Sequence, residues 1–89
     1  MTTYEFEVAA KNAVIAAVKE RYHEDYQIQD VQIVWMARIL GFMKAIMIDN
    51  GGNARLYEVT YNRERNEMYV DMYSKDKNVV AAIDTEVHG

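Results

Sequence analysis

Two carboxylates, Glu58 and Asp71, and two cations, Arg38 and Lys44, sit mid-way along four successive extended stretches of this chain. Paired carboxylates held close together can split their pKa values and serve as acid and base. This pair is therefore the arrangement on which a small-ligand binder or an enzyme would rest. The two neighbouring cations favour an ordinary ionic row instead, and the spacing supplies no pocket. His23-Glu24-Asp25 is the one histidine–acid cluster. Its members are consecutive in a polar connector and diverge, whereas a metal needs three or four converging ligands. Asp49-Asn50-Gly51-Gly52-Asn53 lacks the closing glutamate of a twelve-residue calcium loop and reads as a turn, where asparagine and glycine tolerate positive φ. With no cysteine and one serine, Ser74, no nucleophile–base set is recognisable. No catalytic residue, metal ligand or cofactor is expected.

Seven tyrosines invite a different chemistry, because aromatic rings on a sheet can stack bases. Single-stranded nucleic-acid binding would then fall to Tyr69 and Tyr73, beside the acidic Glu58 and Asp71. A formal net charge of −4 with well-mixed signs disfavours that reading. The absence of cysteine suits a reducing cytoplasm. No apolar run approaches the roughly 20 residues of a membrane span. The expectation is a cytoplasmic protein with no membrane partner.

At 89 residues the chain is one domain with a single thin core. Thr2-Thr3-Tyr4-Glu5 matches a capping box. Phe6, Ala10, Ala13, Val14, Ala17 and Val18 then recur at three- and four-residue spacing, which predicts an amphipathic helix over 3–21. Its small residues allow close approach to a flat partner. Strands are predicted at 31–40, 42–48, 55–61 and 67–73 from their β-branched and aromatic content and the short turn segments between them. The tail, 76–89, is read as either a fifth strand or a short helix. Together these predict an α+β domain: an N-terminal helix on one face of a four-stranded antiparallel meander.

Turn lengths convert into registers, and a slip of one residue exchanges a strand's faces. Centring the first hairpin on Gly41 pairs Arg38 with Lys44; the next turns pair Lys44 with Glu58 and Glu58 with Asp71. The face toward the helix then collects Trp35, Ala37, Ile39, Met43, Ala45, Met47, Tyr57, Val59, Tyr61, Met68, Val70 and Met72. The outer face carries the row Arg38–Lys44–Glu58–Asp71, flanked by Met36, Ile46, Leu56 and Tyr73 and by Leu40, Phe42, Thr60 and Tyr69. So much hydrocarbon on an outer face implies a cover, either the tail or another chain.

At Ile33-Val34-Trp35, Lys44-Ala45, 57–62 and 66–73 the chain resembles a family of small uncharacterised proteins encoded by phages and prophages of low-GC Gram-positive bacteria. The likeness covers roughly residues 5–78, and its most specific part is the tyrosine-rich last hairpin. It implies a phage accessory gene and brings no catalytic residues with it. The function expected is therefore non-enzymatic protein–protein interaction, with itself as a homodimer or with a host protein. The candidate surface is Met36, Arg38, Lys44, Ile46, Leu56, Glu58, Asp71 and Tyr73.

Overall fold

A computed structural model describes residues 1–51 and 55–74. One helix, α1 (Thr3–Tyr22), precedes four strands: β1 (Val31–Ile39), β2 (Phe42–Asp49), β3 (Arg55–Asn62) and β4 (Glu67–Ser74). The strands pair in chain order as one antiparallel open sheet. This is the α+β meander expected. The tail 76–89 lies outside the described residues.

The helix starts where the capping box said it would. Thr2 Oγ1 accepts the Glu5 amide at 3.1 Å, and Glu5 Oε1 accepts the Thr2 amide at 3.1 Å. It stops at His23, whose φ of 59° is left-handed and whose amide reaches the Lys19 carbonyl at 3.0 Å. Phe6, Ala10, Val14 and Val18 are the fully buried stripe between these ends. They meet Val31, Met43, Ala45, Met47, Tyr57 and Val59 from the sheet. Both Ala10 and Ala45 are fully buried in this cluster.

The first hairpin corrects the sequence reading. Ile39 pairs with Phe42, so the turn is the two residues Leu40-Gly41, not an odd-numbered turn centred on Gly41. Both carry positive φ, 45° and 99°, the geometry of a type I′ hairpin turn. Leu40 is therefore a turn residue rather than the end of a strand. Removing one residue from the loop slides the pairing by one. Arg38 lies opposite Met43, and Met36 opposite Ala45. Met36 and Arg38 thus stand on the helix side, and Trp35, Ala37 and Ile39 face outward. The opposite was expected.

A bulge reconciles this with the start of β1. Ile33 pairs with Met47 and Trp35 with Ile46, which leaves Val34 as an extra residue. The frame changes there, so Val31 and Ile33 before it and Met36 after it all point to the core. Strict alternation cannot do that.

The other registers differ less. Lys44 pairs with Thr60, and Glu58 with Ile46, a shift of two from the expected Lys44–Glu58 pairing. The connection between β2 and β3 is the five residues 50–54, centred on 52 instead of 51, and a slip of two leaves the faces unchanged. Glu58 pairs with Asp71 as anticipated. The last turn uses four residues, with Asn66 left-handed at φ 50°. There Asn62 Oδ1 accepts the amides of Glu64 and Arg65 at 3.1 and 3.4 Å.

Candidate functional site

β2 and β3 form the centre of the outer face, presenting Phe42, Lys44, Ile46 and Ile48 beside Leu56, Glu58 and Thr60. β1 adds Trp35, Ala37 and Ile39 on one flank. β4 adds Tyr69, Asp71 and Tyr73 on the other. The rings are open to solvent: Trp35 is 46% exposed, Phe42 44% and Tyr73 52%. Mid-face, Lys44 Nζ meets a Glu58 carboxylate oxygen at 3.0 Å, a diagonal ion pair still about one third exposed on each side. Of the eight residues expected here, Lys44, Ile46, Leu56, Glu58, Asp71 and Tyr73 are on this face. Met36 and Arg38 are not. Trp35, Ile39 and Ile48 take a larger share of it than the sequence reading allowed, and a two-residue turn was the signal that could have placed the first two.

Glu58 is held by Lys44, Asp71 stands opposite it on the exposed flank, and neither residue lines either of the concavities described here. Tyr69 and Tyr73 are outward as expected. The Tyr69 hydroxyl donates to Glu67, whose carboxylate pushes the phenol pKa up and adds negative charge where a nucleic acid would bring phosphate.

The histidine–acid cluster serves the connector. His23 caps α1, Asp25 pairs with Lys19 at 2.8 Å, and Glu24 grips Arg55 with two hydrogen bonds of 2.9 and 3.0 Å. No three His, Cys, Asp or Glu side chains converge as a metal site among the described residues. Asp49 belongs to the same polar end. It accepts the Gly51 amide at 2.6 Å, the Tyr57 hydroxyl at 3.4 Å and the Tyr26 hydroxyl.

Arg55 organises this end and was invisible to pattern reading, because a lone arginine at the start of a strand carries no periodic signal. Its guanidinium lies 3.6 Å from the Tyr22 ring centroid and donates to the Tyr26 hydroxyl at 3.2 Å. Hydrogen bonds from Arg55 hold the Glu24 carboxyl below its ordinary pKa, and Glu24 raises that of Arg55 in return. Burial, then the bond with Tyr26, pushes the Tyr57 phenol up. Every group in this cluster is already engaged with another. It fastens the helix and connector to the sheet.

Residues 7–83 match DUF6275, a family of unknown function. The chain belongs to that family. No curated protein and no solved structure matches it. Membership of an uncharacterised family is what the earlier likeness implied, and the match likewise assigns no catalytic residue. Among the described residues, no helix is long and apolar enough to cross a membrane.

Proposed function

We propose that this protein is a non-enzymatic interaction module whose outer sheet face docks against a second copy of itself. In the setting the family likeness implies, it is a phage or prophage accessory protein working in the cytoplasm of its bacterial host. The carrying observation is the outer face itself, a broad patch of exposed Trp35, Ile39, Phe42, Leu56 and Tyr73 around one ion pair. Contiguous hydrocarbon of this kind marks an interaction surface in a soluble protein. Strand spacing and rise give the face a footprint of roughly 20 by 26 Å, enough for one side of a small specific interface.

The charge pattern favours a copy of the same chain. A two-fold axis parallel to the strands, passing between β2 and β3, lays each β2 over the partner's β3. Lys44 then faces the partner's acidic strand instead of another lysine. The same operation sets the β1 flank, with Trp35, over the β4 flank, with Tyr69 and Tyr73. Such an arrangement keeps like charges apart across the two-fold axis.

Sedimentation velocity across a concentration series tests this. The expected result is a monomer–dimer equilibrium that Ile46→Asp abolishes while the far-UV circular dichroism stays unchanged. A monomer mass for the unaltered protein up to millimolar concentration would overturn self-association. Recovery of a heterologous host protein on this face instead would assign it to that partner.

A further inference from the structure

On the opposite side of the sheet, the two-residue turn carries Arg38 away from the outer face and into a concavity. This pocket has a volume of about 370 Å³ and lies at the hairpin end of the sheet, beside the start of α1. Its lining is Arg38, Arg63 and Tyr61 together with apolar Met1, Leu40, Phe42 and Met43, closed by Gly41. The turns hold its shape. The Arg63 amide donates to the Gly41 carbonyl at 3.0 Å, which binds the first hairpin turn to the last. The Tyr61 hydroxyl donates to Asn66 Oδ1 at 2.9 Å, leaving its ring as a wall.

Three features give this pocket a ligand chemistry. The first is charge: two arginines are among its lining residues, and no acidic residue is. The chain has 14 acidic side chains against 10 basic ones. Even so, neither Arg38 nor Arg63 takes part in the ion pairs formed among the described residues. Arg38 Nη2 donates to the Met43 sulfur at 4.0 Å. Arg55 is the contrast, an arginine on the same sheet with its carboxylate in place. The second feature is Leu40. It is 93% exposed, in a left-handed conformation that normally selects asparagine or glycine. An apolar side chain held at a cost in backbone energy on the pocket rim serves contact rather than folding. The third is size, since the volume suits a small molecule and not a macromolecular surface.

We infer that this pocket binds a small organic anion, its carboxylate or phosphate head held by Arg38 and Arg63 and its apolar body laid along Leu40, Phe42 and Met43. Guanidinium forks match either head bidentately. Phe42 borders both the pocket and the outer face, but Arg38 stands off that face, and the inference does not rest on its dimerising.

Octanoate, phenyl phosphate and uncharged octanamide, titrated into the full chain and followed by backbone amide NMR shifts, make the test. The expected result is saturable binding of at least one anion, with shifts centred on Gly41, Phe42, Met43 and Arg63. Octanamide should bind about tenfold more weakly or not at all, the scale of one lost charged hydrogen bond. Whether octanoate or phenyl phosphate binds tighter tells a carboxylate source from a phosphate one. Arg38→Gln and Arg63→Gln should each weaken the better anion roughly tenfold. Leu40→Asn should weaken it too, while raising the melting temperature by relieving the turn. Ile46→Asp should leave the affinity unchanged. Equal binding of charged and neutral probes, shifts elsewhere on the protein, or no binding by either anion would overturn the assignment.

Discussion

Deleting Val34 is a direct test of the frame change in β1. In the observed register Val34 is the extra residue between Ile33–Met47 and Trp35–Ile46, so its removal joins two stretches that already share the ladder of β2. A bulged residue makes no regular ladder pairing, and none is lost. The cost is its side chain, half of which is already in water at 50% exposure. Half the burial value of a valine is about 1 kcal/mol. In an unbroken strand the same deletion would instead reverse one half of β1. Val31, now 2% exposed, would swing out and Gln32 would enter the core unpaired. Losing the valine costs about 2 kcal/mol. An unsatisfied buried amide adds about 1–3 kcal/mol. A domain of this length has a total stability of about 4–13 kcal/mol, so that outcome comes close to unfolding it. Urea melts followed by circular dichroism separate the two cases. The expected midpoint loss is about 0.5–1 M, from a slope of 1–2 kcal/mol per molar. Deleting Ala45 from β2, where no bulge can absorb the change, should remove the cooperative transition. If deleting Val34 proves as damaging as deleting Ala45, the bulge assignment is wrong.

Two further outcomes follow from the packing and the polar end. Ala10→Leu should destabilise by about 1–3 kcal/mol by forcing the helix off the sheet, while Ala16→Leu on the exposed side stays within about 0.5 kcal/mol; equal urea midpoints for the two variants would refute the close approach at Ala10. Glu24, its pKa depressed by Arg55, lends stability that is complete above the ordinary glutamate value of 4.5 and fades as pH falls through the lower folded value. The stability gap between wild type and Glu24→Gln should therefore be constant near neutrality and shrink below that value, and a gap that persists undiminished to the acid limit would refute the pairing.

The fold was legible because its signals are local and redundant. Thr2 and Glu5 mark the helix start, the Phe6–Val18 stripe marks its buried side, and alternation across β2, β3 and β4 sorts each of those strands into faces without help from its neighbours. β1 was legible as a strand but not as a pair of faces. A parity rule carries along a strand only while the ladder is regular, and a turn of two residues instead of three, with one extra residue at Val34, breaks it twice. Nothing in 31–39 announces the bulge, since Val34 is as good a strand former as its neighbours and the energy that favours it comes from burying Val31, Ile33 and Met36 together. That one irregularity is why Trp35 joins the outer face and Arg38 leaves it. The outer face thus becomes more aromatic and less cationic than pattern alone suggests, and the helix side gains an arginine that stands outside the ion pairs formed among the described residues. The same physics that hid Arg38 from the sequence reading places the apolar outer face and the arginine-lined pocket at different parts of the sheet.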